Sequence, residues 1–506
     1  PDGSLSDAHG GTINWHGEIG GYGLDLVAGH SVLGLEAELD VDYSPAPASV
    51  ITTADDNTTT SIELRASSPT LGGLLGLGRL FGFALGDSDF IAGVFYYRRL
   101  IEDSFLTLDL DPVVFGEFVF RQELPVTLPP LPVPIPARGT LSERSTLVFN
   151  ETADSIAGFG QINWHVAPHW TLLTGLRIQH ETKQADWIRT FDTPTSLLFT
   201  QFLNWEEFTQ DLERSELQIS PKLSVNYKPT DDLSFFARWS RGYKGGGFNE
   251  FATRGSPADL KFAQEEVDEW ALDAKTTLLD GAARLNVSLF WMHLRDFQVL
   301  TTRPGDIVFT VVNAASARAR GVEADVTAAP TDWLTLTGTL GFNDAKYLSF
   351  PIGTCAQDMP NTDGDADPRC DLSGHSLSRA PHWVISTTPV LTFPATVIPG
   401  VRQWIPASAA GLGISGGFTV EFQDSQDTES LGGLGDPRAR QDSFFRYRAG
   451  LGIGNRDQGW SIRVAAENLT NVATQSGSGE IQTAPGHLWQ QPEPPRVVYG
   501  QMRWEF

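Results

Sequence analysis

Counted back from Phe506 in twos, Trp504, Met502, Gly500 and Val498 are apolar or small, and Glu505, Arg503, Gln501 and Tyr499 between them are polar or amphipathic. Successive side chains of a strand point to opposite faces, so this stretch reads as a strand with one apolar and one wet side, aromatic at its end. Soluble sandwiches contain such strands too. A chain that stops mid-strand on an aromatic residue suits a closed outer-membrane barrel, whose last strand pairs with an earlier one and rests its aromatic end at the membrane interface.

The alternation recurs along the chain. Leu334, Leu336, Gly338, Leu340 and Phe342 oppose Thr335, Thr337, Thr339, Gly341 and Asn343. Trp170, Leu172, Thr174, Leu176 and Ile178 oppose Thr171, Gly175, Arg177 and Gln179, with Leu173 the exception. Leu285, Val287, Leu289 and Trp291 oppose Asn286 and Ser288, with Phe290 out of place. A helical period fits none of these runs. The even-numbered residues of 334–342 are expected against lipid and the odd-numbered ones against water.

Composition agrees with a barrel. The 506 residues include 50 Gly, 3 Met and 2 Cys, and no stretch has the roughly 18 uninterrupted apolar residues of a membrane helix. The nearest, Leu71 to Gly86, is rich in Gly and interrupted by Arg79; it reads as an apolar hairpin tip or short helix. A net charge of −26 repels a phosphate backbone and argues against nucleic acid as a partner. It suits an acidic rim or lumen, or simply solubility. The opening PDGSLSDAHGG has neither a basic nor an apolar leader segment, which for an exported barrel suggests a start that was removed or lies elsewhere.

Connections come in two kinds. Tight ones carry turn chemistry at Ala167-Pro168-His169, Pro229 to Asp232, Leu279-Asp280-Gly281, Pro330 to Asp332 and Asn455 to Gly459. Long polar, acidic or Pro-rich ones alternate with them, near 103–143, 193–212, 244–262, 346–377 and 474–492. Outer-membrane barrels sort their connections this way, short on the periplasmic side and long outside. We place about 17 strands, centred roughly on residues 14, 27, 64, 95, 155, 180, 220, 238, 270, 289, 316, 339, 385, 417, 448, 466 and 500. Single-chain bacterial barrels have even strand numbers, so an odd number of strands is expected to come from outside this sequence.

Several segments resemble the barrel of TonB-dependent outer-membrane receptors. They are Phe262 to Leu272 (FAQEEVDEWAL), Leu285 to Trp291 (LNVSLFW), Asn313-Ala314-Ala315 followed by Ala319 to Glu323 (ARGVE), Ala466 to Asn471 (AENLTN), Pro495 to Gly500 (PRVVYG) and Arg241 to Asn249 (RGYKGGGFN). In this order, over about residues 9–506, they are specific. The resemblance implies an all-β fold, a transmembrane antiparallel β-barrel of the 22-stranded type. Residues 1–506 would form a partial barrel domain, strands 6 to 22. The N-terminal plug, the TonB box and the first strands would lie outside this chain, in the same protein or on a second polypeptide.

No catalytic constellation is visible: there is no G-x-S-x-G, H-E-x-x-H or phosphate-cradling glycine motif. A non-enzyme without cofactor is expected. His293 reads as a wall residue. Arg241, Tyr243, Lys244, Phe248 and Asn249 stand where a strand enters a Gly-rich outer loop; they are candidates for contact with a polar ligand, or for interfacial anchoring. Cys355 and Cys370 flank one long loop, and an oxidising exterior favours a bridge between them, worth on the order of 3 kcal/mol by loop-closure entropy. Asp363, Asp365 and Asp367 inside that loop resemble part of a calcium site without its distal Glu; a solvated acidic loop is the competing reading. Leu124 to Pro136 (LPVTLPPLPVPIP) reads as a stiff extended loop.

The resemblance implies TonB-dependent active uptake of a scarce nutrient, of siderophore, cofactor or oligosaccharide class, across the bacterial cell outer membrane. Implied partners are the plug and missing strands, TonB with its inner-membrane energising complex, outer-membrane lipid and lipopolysaccharide, and an unidentified small molecule. The alternative is a receptor-derived structural barrel subunit that assembles with another chain and does not transport.

Overall fold

The computed structural model describes residues 3–40, 49–69, 87–110, 143–193, 196, 198–302, 309–354, 369–397, 399, 411–429, 437–455, 459–480 and 488–505. The apolar 71–86 run and the Pro-rich 124–136 stretch lie outside them, as do Cys355, Asp363, Asp365 and Asp367.

One antiparallel sheet of 17 strands dominates. Its strands are β1 (Gly3–Ile19), β2 (Tyr22–Asp40), β3 (Ser49–Ser67), β4 (Ser88–Leu110), β5 (Glu143–Ala167), β6 (Trp170–Phe191), β7 (Phe208–Thr230), β8 (Leu233–Lys244) and β9 (Glu265–Leu278). They continue as β10 (Ala283–Thr302), β11 (Phe309–Thr331), β12 (Leu334–Ser349), β13 (Trp383–Pro394), β14 (Leu412–Gln423), β15 (Phe444–Asn455), β16 (Trp460–Glu467) and β17 (Val497–Trp504). Each pairs with its neighbours in sequence, so the sheet is an uninterrupted meander. Every one of the centres placed from sequence falls inside its strand. Two of the expected outer loops are shorter than anticipated: the first begins later because β4 runs on to Leu110, and the second ends earlier because β7 already starts at Phe208.

Tight turns gather at one end. Gly20 and Gly21 alone join β1 to β2, with φ of 60° and 84°. A primed hairpin turn needs φ above zero at both central positions, which glycine adopts without strain. His169, Leu279 and Asp280 take positive φ at the same end. Long connections occupy the other end, as the sorting anticipated, with two exceptions: residues 68–87 and 395–411 are long connections at the tight-turn end.

The register puts apolar residues in continuous rows. Phe235, Ala274, Val287, Ala324, Leu340, Ile385, Phe422 and Phe445 lie side by side across eight strands from β8 to β15. One residue along, Ser234, Lys275, Asn286, Asp325, Thr339, Ser386, Glu421 and Arg446 form the matching row on the opposite face. The apolar face stays bare: Leu272 is 57% and Val94 57% exposed. Phe290, the residue that breaks its alternation, sits opposite Gly321, where an added Cβ would meet its ring at 2.7 Å. The ring fills the space that the missing side chain leaves.

Bulges reset the pattern. Between Ile101 and Ser104, β4 gains a residue on β5, so odd-numbered residues face inward before the bulge and even-numbered ones after it. Leu108 and Leu110 thereby turn to the covered face, and Phe105, 39% exposed, to the apolar one. Among the described residues, β1 pairs only with β2 and β17 only with β16; both strands are exposed almost throughout.

Leu336 shares its row with Ala328 and Pro389, whereas Thr337 lies beside Thr327 and Thr388. Leu336→Arg therefore puts a charge on the lipid face, two residues from the tight-turn end of β12, and is expected to destabilise by less than the roughly 2–4 kcal/mol of a mid-membrane site, while Thr337→Arg is tolerated. Folding yields of the two variants into lipid vesicles test this, and equal yields would overturn the register.

Candidate functional site

At the long-loop end, the polar face of β4–β6 is covered. Along β5 every second residue from Ser145 to Ala157 is buried, and on β6 Ala185, Trp187, Arg189 and Phe191 are. Two connections do the covering. Phe199, Leu203 and Trp205, between β6 and β7, pack on Leu108, Leu110 and Phe191. Phe248, Ala252 and Leu260, between β8 and β9, pack on Leu147, Phe149, Ala185 and Trp187. Full burial of a large apolar side chain contributes about 1.5–3 kcal/mol, so these loops are docked elements.

Arg189 holds both of them. Its Nε and Nη2 donate to the Ala252 carbonyl at 3.2 and 2.9 Å, and Nη1 donates to Ser145 Oγ at 2.7 Å. Its guanidinium also lies 4.8 Å from the centre of the Trp205 ring. The loops touch directly as well: Glu206 N donates to Thr253 O at 3.0 Å, and Arg254 Nε to Asn204 O at 3.1 Å.

The neck of the second loop is fixed by charges on the same face. Lys183 donates to Gly246 O at 2.8 Å, Arg214 to Gly247 O at 3.2 Å and to Phe262 O, and Gln298 to Gly245 O at 3.0 Å. An added Cβ at Gly246 would collide with the Arg214 guanidinium, so a side chain there would push that group off the carbonyls it holds. Lys183 pairs with Glu181, and Arg214 with Glu216. The result is a ladder of paired charges on the wall.

Beneath the loop, Arg99 pairs with the buried Glu151, and Ser104 Oγ lies between the carboxyl groups of Asp55 and, at 3.0 Å, Glu250 of the loop, with one proton to share between them. Burial, and after it the Asp55 charge, holds the Glu250 carboxyl above the usual carboxylate range.

Of the residues singled out from sequence, Phe248 is buried with its ring 5.3 Å from that of Trp187. Asn249 is buried too; its Nδ2 donates to Asp259 O and Val311 O, and its Oδ1 accepts from Val311 N. Both side chains tie the loop to the wall. Arg241 makes a two-pronged pair with Asp268 at 3.0 Å, which Arg295 shares at 2.7 Å. Tyr243 is half-buried, and Lys244 is the exposed one of the five. His293 lies on the wall opposite Asp268 and Arg318. Cys370 is disulfide-bonded and follows Arg369 in a short ribbon with Gly353 and Thr354; the chain's other cysteine is Cys355.

Arg189, Glu250 and the Lys183–Arg214 neck were not singled out from sequence. For the strand residues the signal was present, because Arg177, Glu181, Lys183 and Arg189 alternate with Ile178 and Ile188 along one strand. Reading the polar face of each alternating strand, as well as the apolar one, picks these out, whereas Glu250 stands in a loop and carries no such signal.

A family model described as "TonB dependent receptor-like, beta-barrel" matches residues 6–469. The metal-pseudopaline receptor CntO of Pseudomonas aeruginosa is 28% identical over 134 residues, which are 26% of this chain and 18% of that protein. Among solved structures, the ferric yersiniabactin uptake receptor FyuA of Yersinia pestis superposes with a TM-score of 0.69 at 15% identity, covering 99% of this chain and 61% of that one. The siderophore receptor PiuA of Acinetobacter baumannii gives 0.68 at 14%, covering 99% and 64%. The chain thus spans less than two thirds of the length of these receptors.

Arg189→Met removes the shared staple and should loosen loop docking by about 3 kcal/mol, the scale of charged hydrogen bonds lost together. Limited proteolysis should then cut both loops faster; unchanged cutting of either would refute the shared anchor. The Glu250 shift sets a pH dependence. Docking is strongest below the ordinary carboxyl value, about pH 4, and weakens as pH rises through the raised one. Hydrogen exchange of residues 247–260, corrected for its intrinsic rate, should speed up over that rise, and Glu250→Gln should flatten the profile. A profile identical in the two proteins would contradict this.

Proposed function

The chain belongs to the TonB-dependent receptor family of bacterial outer-membrane barrels, and from that premise we propose that it supplies most of the barrel wall of a receptor for active uptake of a scarce nutrient. The observation that carries the reading is the pair of outer loops docked on the polar face by Arg189. A receptor uses them to narrow the mouth and to present side chains to a ligand on a rigid scaffold.

The similar proteins, a metal-pseudopaline receptor, a ferric yersiniabactin uptake receptor and a siderophore receptor, favour a metal chelate among the nutrient classes. The exposed Lys244 and the half-buried Tyr243, beside the neck of a docked loop, would contact an anionic chelate, whereas Arg241 follows Trp239 on the outward face and is paired with Asp268. Phe248 and Asn249 would support the loop from behind.

The unshared edges of β1 and β17 support a completed barrel in the whole protein. Inside hydrocarbon each unsatisfied backbone group costs several kcal/mol, so further strands would pair with both edges. We place these strands, and the plug they lead from, in the same protein or on a second polypeptide. Force from TonB and its inner-membrane complex would then rearrange the plug and open the lumen.

The test is uptake in cells. A strain lacking the full-length gene, offered ferric siderophores, cobalamin or oligosaccharides in turn as the limiting source, should lose import of one of them. A strain lacking TonB should lose the same one. Import that survives without TonB would point to a passive channel, and no lost import across the panel would favour the non-transporting structural subunit.

A further inference from the structure

The two sides of β7 are paired unequally, a feature that the uptake reading does not use. On one side β7 pairs with β6 without a register shift from Phe208 to Tyr227. On the other it pairs with β8 only between Lys222 and Thr230, with Lys222 opposite Ser240. The next residue toward the long-loop end is Pro221, which has no N–H to give to a ladder. Beyond it β8 stays paired with β9 as far as Lys244 and Glu265, but among the described residues no strand pairs with β7 on that side. From Ser220 to Phe208, β7 is therefore the open edge of a wall built with β4, β5 and β6.

Backbone alternation fixes which groups are left open. The Lys228 N–H donates to His169 O, just ahead of β6, at 2.8 Å. Even-numbered residues of β7 thus turn their amides and carbonyls toward β6, and odd-numbered ones turn them away. Thr209, Asp211, Glu213, Ser215, Leu217 and Ile219 present theirs to the open side. Lys261 Nζ reaches one of these groups, the Glu213 carbonyl, at 2.8 Å. All six residues are exposed, Leu217 at 61% and Ile219 at 51%. Their side chains share one face of the strand, apolar at Ile219 and Leu217 and acidic at Glu213 and Asp211.

We propose that this edge is a strand-addition site for an extended peptide segment of another protein, one with lysine or arginine at alternate positions opposite Glu213 and Asp211 and apolar residues opposite Leu217 and Ile219. An unpaired edge is a template for a further strand, in which main-chain hydrogen bonds give affinity and alternate side chains give specificity. Opposite charges facing each other across a strand pair attract, and like charges repel. A basic segment is also the one that a chain of net charge −26 draws in. A second copy of this chain fits less well. Laid antiparallel along the same six residues, it would set Asp211 against Leu217 and Glu213 against Ser215, so neither acid would meet a cation.

Fluorescence polarisation with the full-length receptor in detergent tests the site. Three labelled synthetic peptides serve as probes: an extended one with valines and then lysines on alternate positions, the same peptide with glutamate for lysine, and the lysine peptide N-methylated on the amides that would face β7. The lysine peptide should bind, and the other two should bind about tenfold more weakly or not at all. Asp211→Lys with Glu213→Lys should reverse the preference between lysine and glutamate by about tenfold, the scale of two reversed cross-strand charge pairs. Ser215→Pro removes one N–H from the open side and none from the ladder with β6, and should weaken the lysine peptide. Hydrogen exchange adds a reading without variants: the odd-numbered amides of 209–219 should exchange fast in the free receptor and slowly with the peptide. Equal binding of the N-methylated peptide, an unchanged charge preference in the double variant, full affinity in Ser215→Pro, or slow exchange of those amides before any peptide is added would overturn the proposal. Nutrient import is not read in these experiments, so their outcome leaves the uptake reading untouched.

Discussion

Everything in this molecule depends on keeping backbone amides and carbonyls paired where no water can reach them. In hydrocarbon only an internal ladder can do so, and the chain answers with a sheet in which each strand bonds to its predecessor and its successor. Once the ladder exists, side chains have only two directions to point. One faces lipid and the other lines the interior, so the alternation in the sequence follows from the hydrogen-bond requirement.

That dependence explains how much was legible. Period-two alternation is a local signal, and strands such as β6 and β12 carry it in their own residues. Turn residues that accept positive φ, such as Gly20 and Gly21, mark the ends. Contacts between residues far apart in sequence carry no such signal. Nothing near Arg189 announces that its partners are Ala252 and Trp205, and nothing in Phe105 to Leu110 shows that the bulge after Ile101 reverses their faces. Several residues behind the family resemblance turn out to be backbone devices: Asn468, at φ 50°, bonds both the N–H and the carbonyl of Val472. Asn471 accepts from Arg496 N at the entry to β17. Such residues recur because a fold needs them, which makes them good markers of fold and poor markers of ligand.

The polar face divides by height. Toward the tight-turn end it is lined with serine, threonine, asparagine and charged residues in rows across the strands. Toward the long-loop end it is roofed by docked loops with their own aromatic cores. A third small core, of Val299, Tyr347, Phe350 and Leu372, repeats the device on the far side. The wall is thus thickened where it meets the exterior.

Because one guanidinium is bonded to the second loop and stacked on the first, the two loops are not interchangeable parts. Their surfaces are free to diversify, but their anchors are drawn from a common stock: Arg189, Ser145 and the rings around them. A loop transplanted alone from another receptor would arrive without the carbonyl or the indole that this arginine expects. It would leave a buried cation short of a partner in its new host. Recombination that succeeds should therefore exchange the loops as a pair, together with the strand that carries the arginine, so the heritable unit is larger than any single loop.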